Sequence, residues 1–406
     1  MKKHIIAAAV TAAFAAPAMA QNVSLSGLLD AGVSQTKADV GTSSTKSSAT
    51  GAASSWSTST LVFTATEDLG GGLKASAVIS SFFDSTSGST GNGLADNAST
   101  SYNTVGGRDR FLRIEGSFGG LQIGRFTPQI NGYCTYACAG GTNNTAGTTD
   151  SSGSDLVAGT LGGRSTHTDN PAANTNPFLT PTAYTSLTST TEAVNAAHME
   201  HQSGVIEYTT PVVSGFSATL SYISGAVDSS SDLGSDKVSQ HGLRVNYSAG
   251  PLAVSLANAS RKWETEADTA AEQDSTKSKI NWIGASYDLG AAKLFASHAT
   301  RKDELKDGTA APATVSDISV STIGVQIPMG ALTLTASMYS GDDDATTSAT
   351  DNRDLKGHQL TAKYALSKRT FAYIAHGTNK DTRTDSSVTN NDFKRTQTNL
   401  GLVHSF

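Results

Sequence analysis

The sequence predicts an all-β chain, a sixteen-stranded antiparallel transmembrane β-barrel with short periplasmic turns and long extracellular loops. Three observations carry this. Apolar and polar residues alternate with period two in one segment after another. The breaks between segments are of two kinds: tight Gly-containing turns, and long stretches of Ser, Thr, Asn, Asp and Gly. At the end of the chain, Leu400, Leu402, His404 and Phe406 share one parity while Asn399, Gly401 and Ser405 share the other, which suits a closing barrel strand.

Residues 1–20 read as an export signal. Lys2 and Lys3 form a charged start, Ile5 to Ala16 an apolar stretch, and Ala18-Met19-Ala20 a cleavage site before Gln21. Residues 21–406 are then the barrel. Without the two lysines the formal charge moves from −6 to about −8. No other segment approaches the roughly 18 apolar residues of a spanning helix. The Gly-, Ser- and Thr-rich composition admits a secreted all-β protein, a low-complexity stalk or a transmembrane barrel, and the length is ordinary for a large barrel. An acidic balance with no basic block argues against a nucleic-acid partner.

The elements follow in order. Val23, Leu25, Leu29, Ala31 and Val33 alternate with Ser24, Ser26 and Asp30, giving a first strand. Leu61, Phe63 and Ala65, the turn Asp68 to Gly72, and Leu73, Ala75, Ala77 and Ile79 form the first hairpin. Six more hairpins turn at Ser117–Gly120, Pro211–Gly215, Ser248–Pro251, Asp288–Ala291, Pro328–Ala331 and Leu366–Arg369, and Lys394 to Phe406 closes the series. The first strand, seven hairpins and the last strand make sixteen. The long connections run over Ser34–Ser57, Phe82–Arg108, Phe126–Ser203, Gly225–Gln240, Lys262–Thr276, Lys302–Ser316, Gly341–Arg353 and Asp381–Phe393. Cys134 and Cys138, the only cysteines, read as one small disulfide within a loop of an exported chain. Two thiols with no second pair make a poor zinc site.

Closure has a simple cause. In lipid every backbone N–H and C=O needs a partner, so no open sheet edge persists. Sixteen strands leave an aqueous lumen. Ser217, Thr219, Ser221, Asn246, Thr333, Thr335, Ser337, Gln359 and Thr361 fall on the parity expected to line water. Leu243, Val245, Tyr247, Leu332, Leu334, Leu360, Tyr364, Phe371 and Tyr373 are expected to face acyl chains. Phe111, Tyr208, Phe216, Tyr287 and Phe406 fit an interfacial aromatic girdle.

The stretches Phe118-Gly119-Gly120-Leu121-Gln122-Ile123-Gly124-Arg125, Tyr208 to Phe216, and Gly401 to Phe406 resemble the general diffusion porins of Gram-negative outer membranes, especially those of β-proteobacteria. The resemblance spans essentially all of the chain after the signal. It implies a homotrimer of water-filled barrels in contact with outer-membrane lipid and lipopolysaccharide, passing small hydrophilic solutes and ions. It also implies that the third loop, Phe126 to about Gln202, folds inward to narrow the pore, with acids such as Asp150, Asp155, Asp169 and Glu192 facing basic wall residues. Such opposed charges orient dipolar solutes.

Carried over position by position, Arg125 matches the arginine at the base of the inward loop. Thr60 stands where many relatives hold arginine. His201 occupies another basic position and is mostly neutral at pH 7. Lys74, Arg113 and Arg244 are further basic candidates on inward parity. The weakened basic wall implies mild selectivity. Strict alternation from Leu121 and Ile123 sends Arg125 outward, where arginine at the bilayer midplane costs about 2–4 kcal/mol. A bulge at Gly124 or a place near the strand end resolves this, and the resemblance favours the bulge.

Other readings weigh less. His198, Glu200 and His201 are more readily solvated loop residues than metal ligands. Arg113 and Glu115 share a face and form either a wall ion pair or part of the permeation path. No G-x-G-x-x-G, Walker or G-x-S-x-G pattern stands in a helical context, so neither a cofactor nor catalysis is implied. A solute-specific channel remains the alternative within the class. A secreted β-rich adhesin would need a fixed repeat that these strand spacings lack. A membrane-embedded hydrolase would rest on a rim histidine such as His298 or His376.

Overall fold

The computed structural model describes residues 22–40, 43–50, 56, 59–82, 106–128, 202–224, 237–264, 275–306, 309, 311–344, 352–383 and 393–406. These form seventeen strand segments. They are β1 (Asn22–Val40), β2 (Ser43–Thr50), β3 (Thr60–Gly70), β4 (Leu73–Phe82), β5 (Arg110–Gly116), β6 (Gly119–Phe126), β7 (Gln202–Thr209), β8 (Phe216–Ser224) and β9 (Lys237–Ala249). Then come β10 (Leu252–Glu264), β11 (Ser275–Asp288), β12 (Lys293–Lys306), β13 (Ala313–Met329), β14 (Leu332–Asp343), β15 (Arg353–Ala365), β16 (Thr370–Arg383) and β17 (Phe393–Ser405). All pairings are antiparallel and run in chain order, and β1 meets β17 from Leu28↔Ser405 to Val40↔Phe393. Gly27 and Phe406 exchange two backbone hydrogen bonds of 3.0 and 3.1 Å at the foot of this seam. The sheet has no free edge there, as lipid demands.

Seventeen segments make sixteen staves. The lower half of β1 pairs with β3 (Asn22↔Thr66 to Leu28↔Thr60), and its upper half pairs with β2 (Val33↔Thr50 to Val40↔Ser43). β2 and β3 are therefore two halves of one wall strand, interrupted between Thr50 and Thr60. This corrects the expected first loop, Ser34–Ser57, much of which is strand. Its polar residues hide the pattern, since above the bilayer both faces of a strand are wet and alternation carries no hydropathy signal. Other strands also run past their expected ends, β12 reaching Lys306 and β13 beginning at Ala313.

Alternation sorts the two faces as expected along most staves. Thr219, Ser221, Asn246, Thr335, Ser337, Gln359 and Thr361 are buried on the inner parity, while Leu243, Leu334, Leu360, Tyr364, Leu400 and Leu402 lie exposed on the outer one. Tyr208, Phe216, Tyr287 and Phe406 are on the outer face; the Tyr208 hydroxyl donates to the Phe118 carbonyl at 2.5 Å, anchoring it beside a short turn.

Three aromatics depart from expectation. Tyr373 and Phe371 are inside: Tyr373 is 2% exposed, and Phe371 sits opposite buried Val403. Phe111 also turns inward and meets Phe126 edge to face at 5.3 Å, in a cluster with Val205 and Ile223. The reason for Tyr373 is its cross-strand neighbour, Gly401, over which the ring lies. The device repeats: Phe295 covers Gly324 and Tyr339 covers Gly357, each directly opposite in register. A glycine partner lets an inward ring lie flat on the wall, where a Cβ would collide with it. Burial of such a ring contributes about 1.5–3 kcal/mol while leaving the bore open.

Candidate functional site: the lumen

Among the described residues the inner wall carries polar groupings on β5–β8, on β9–β12 and around Asp30. On β5–β8, Arg113 Nε pairs with Glu115 Oε2 at 2.9 Å, and an Arg113 Nη donates to Gln122 Oε1 at 3.2 Å. Gln122 Nε2 then donates to Glu207 Oε1 at 3.0 Å, and the Ser221 hydroxyl to Glu207 Oε2 at 2.5 Å. Glu207 is thus a buried carboxylate held by neutral donors that extend to a cation, an arrangement that satisfies its lone pairs. Lys74 stands opposite Glu115 in register, on the same face.

On β9–β12 the groups are predominantly arginines. Arg244, 2% exposed, donates through Nε to Asn246 Oδ1 (3.0 Å) and Ser255 Oγ (3.1 Å). Arg301 grips Asp303 with two contacts, Nη2 to Oδ2 at 2.7 Å and Nε to Oδ1 at 3.0 Å, and Ser278 donates to the same carboxylate. Arg261 is also buried and faces Gln240 on one side and Ser278 on the other. A planar guanidinium suits this work, since it holds its charge at any working pH and offers several fixed donors.

The third grouping is drier and closes on Asp30. Asp30 is fully buried; its Oδ1 accepts the Tyr373 hydroxyl at 2.9 Å and its Oδ2 accepts the Trp56 backbone N–H at 2.6 Å. The Asp30 backbone N–H donates to Ser59 Oγ at 3.0 Å. Trp56 packs on Tyr373 and Phe371 at centroid distances of 5.0 and 5.5 Å, with Val403 and Leu28 beneath. The connection between β2 and β3 therefore lies against the inner wall at Trp56. Lys363 Nζ sits 4.2 Å from the Phe371 ring centroid on the same face.

Of the candidate residues, Arg113, Lys74 and Arg244 lie on the inner parity, on two different groupings. Arg125 stands apart. On strand parity it lies with Leu121 and Ile123, opposite the buried Gln122 and Phe126, and its register partner is Arg110. The pairing with β7 is irregular between Gly124 and Phe126; Gly124, paired with Val205, has φ 151° and Gly204, within the irregular stretch, φ 70°, backbone that glycine adopts readily. Arg125 donates to the Gly107 carbonyl at 3.2 Å and Ser203 Oγ at 3.0 Å, at the extracellular end of the strand. His201, Asp150, Asp155, Asp169, Glu192, Cys134 and Cys138, and with them the third loop expected to fold inward, lie outside the described residues, as do residues 1–20, expected to be the export signal.

Arg261, Arg301, Asp303, Glu207 and the Asp30–Trp56–Tyr373 contact were not singled out from sequence. Counting parity from Ser255 to Arg261, or from Ser297 to Arg301, would have found the two arginines. The Trp56 contact left no such signal. His298 and His376 lie on the outer face, bonded to Ser321 (2.9 Å) and Thr398 (2.8 Å), away from the lumen. Among the described residues no group of three or more His, Cys, Asp or Glu could hold a metal ion, and no helix is long and apolar enough to cross a membrane.

Comparison with known proteins agrees with this geometry. Residues 7–384 match the Gram-negative porin family. No curated protein sequence matches. Among solved structures, the anion-selective porin from Comamonas acidovorans is similar over 95% of this chain and 100% of its own, at 20% identity and TM-score 0.63. The trimer form of in-vitro folded OmpT from Vibrio cholerae covers 95% and 100% at 13% identity and TM-score 0.57. OmpF of Salmonella typhi, in complex with daunomycin, covers 95% and 98% at 13% identity and TM-score 0.55. The chain belongs to the Gram-negative porin family, and it is an outer-membrane channel through which solutes diffuse passively.

Proposed function

We propose that the channel passes small hydrophilic solutes and ions with weak charge selectivity and no covalent chemistry, and that the luminal arginines on β5, β9, β10 and β12 are its electrostatic filter. The observation that carries this is the placement of Arg113, Arg244, Arg261 and Arg301 on the inner parity of the staves from β5 to β12, beside inward Ser221, Asn246, Ser255 and Ser278. Fixed cations beside low-dielectric walls attract anions and repel cations. Nearby Glu115, Glu207 and Asp303 offset part of that field, so the preference is mild. Acids of the third loop, Asp155 and Asp169 among them, and His201 complete the constriction in this reading. Arg125 acts at its extracellular rim.

Three copies assemble side by side, a reading supported by the trimeric form of the Vibrio cholerae relative. Residues 1–20 direct export and are removed, and Cys134 and Cys138 form one loop disulfide. The test is planar-bilayer recording under a salt gradient. Conductance steps in threes with a reversal potential close to zero are expected; a channel that does not conduct sinks the reading. Arg244→Gln should move the reversal potential toward cation preference more than Arg125→Ser does, and the opposite order would transfer the filter to the rim.

A further inference from the structure

We propose that the periplasmic mouth of the bore, at the β15–β16 hairpin, holds a binding site for a multivalent phosphate anion in solution. The site rests on the filter reading above and adds a second charged element to it. Lys363 lies on the inner parity of β15 with Thr361, near the foot of the strand, and its Nζ sits 4.2 Å from the Phe371 ring centroid. Lys74 and Lys293 also lie on inner parity at this end, and each stands in register with a carboxylate: Lys74 with Asp68 and Glu115, Lys293 with Asp288. Lys363 stands in register with Thr333 and Tyr373, neither of them acidic. A ring face fixes where the ammonium lies and leaves its net charge in place.

The turn below adds charge of the same sign, since Lys368 and Arg369 are exposed in it. Its backbone is fixed. Ser367 Oγ accepts the N–H groups of Arg369 at 3.2 Å and Thr370 at 3.0 Å, and the Leu366 N–H donates to the Thr370 carbonyl at 2.9 Å. No Asp or Glu occurs in residues 318–341, 355–380 or 393–406, so the lower parts of β13 to β17 offer these cations no carboxylate side chain. Asp317, Asp342, Asp343, Asp354 and Asp381 stand instead at the extracellular ends of these staves. Fixed cations gathered at one mouth without acids beside them concentrate counter-ions, and the gain grows with the charge of the anion. Lysine binds phosphate as a point charge, and arginine adds planar donors. A phosphate chain of several charges meets Lys363 inside the mouth and Lys368 and Arg369 beneath it, where a singly charged anion gains little. The inner parity of Lys363 turns the site toward the aqueous bore and away from lipid head groups.

The test uses the full folded protein and inorganic tripolyphosphate. Single channels in neutral phosphatidylcholine bilayers should be blocked from one chamber at a concentration at least about tenfold lower than from the other. K363Q/K368Q/R369Q should abolish that difference and K363R/K368R should keep it. K293Q, which removes a lysine already matched by Asp288, should keep it too. Calorimetric titration of the detergent-folded protein should show the same order, with the triple Gln variant at least about tenfold weaker. That arm stands even if the channel does not conduct, so the site and the filter fail separately; if the triple variant does not fold, K363Q alone carries the comparison. Equal block from both chambers, unchanged binding by the Gln variant, or an equal loss in K293Q overturns the proposal. So does equal block by acetate, which would leave only a diffuse positive field, or retention of phosphatidylglycerol in place of tripolyphosphate, which would assign the cations to a lipid head group.

Discussion

Two stretches of the same inner wall obey the same alternation and differ in chemistry. Along β9–β12 the inward positions hold three arginines set among Ser, Asn and Ala and the apolar Ile280, Trp282 and Phe295, with Arg244 bonded to Asn246 and Arg301 to Asp303, each two residues along its own strand. Along β16, β17 and β1 the inward positions hold Tyr373, Val403 and Asp30, covered by Trp56 from the connection between β2 and β3. The first stretch is a wall that holds buried charge among polar neighbours on the same strands. The second is a small dry core built inside a barrel, with one carboxylate as its polar centre. Period two tells which residues face inward; it does not tell whether inward means water or another segment of chain.

The contrast can be broken from the dry side first. Trp56→Ala should cost about 3–5 kcal/mol, the ordinary loss for a buried aromatic, measured as a lower midpoint in urea or heat unfolding of the detergent-folded protein. It should also raise single-channel conductance, since the segment over Asp30 loses its anchor. Unchanged conductance would place that segment clear of the permeation path.

On the charged side, Arg301→Gln should cost about 3 kcal/mol, because it leaves Asp303 buried with only Ser278 as donor. The double variant Arg301→Gln/Asp303→Asn should recover most of that loss. If it does not, the pair matters for packing and its charge is incidental.

Asp30→Asn should fall lower, at about 1–3 kcal/mol, since the amide keeps one acceptor for Tyr373 or the Trp56 N–H and loses the other. Increased current noise at unchanged mean conductance is the accompanying sign, read from the same bilayer traces. The smallest effect belongs to Arg113→Gln. Its ion pair with Glu115 is 29% and 43% exposed on the two side chains, so stability should change by only about 0–1 kcal/mol while the reversal potential shifts toward cations. A large stability loss there would mean that the hydrogen-bond path through Gln122 to Glu207 is the structural element and the ion pair its end.

Much of the wall was legible in advance. Strand parity correctly assigned Ser217 to Ser221, Thr333 to Ser337, Leu243 and Leu360, because one face meets lipid and a slip of one residue would expose every polar group to it. The expectation fails for Phe371 and Tyr373, placed on the lipid face together with Leu360 and Tyr364. Their true neighbours, Val403, Gly401 and Asp30, lie on other strands, and nothing within β16 announces them. The extension of β1 past Ser34 was hidden for another reason: a strand standing in water on both sides needs no hydropathy pattern, only hydrogen bonds.

The closed antiparallel cylinder, its single-barrel organisation and its sorting of polar from apolar faces were written into local order, since lipid leaves the backbone no partner but its neighbour strand and enforces alternation on every stave. What waited for the folded molecule were the long-range meetings: Trp56 with Asp30, Arg301 with Asp303 and Ser278, and each aromatic with the glycine it covers. These depend on register between strands, and register comes from closing the whole ring, a condition no segment carries alone.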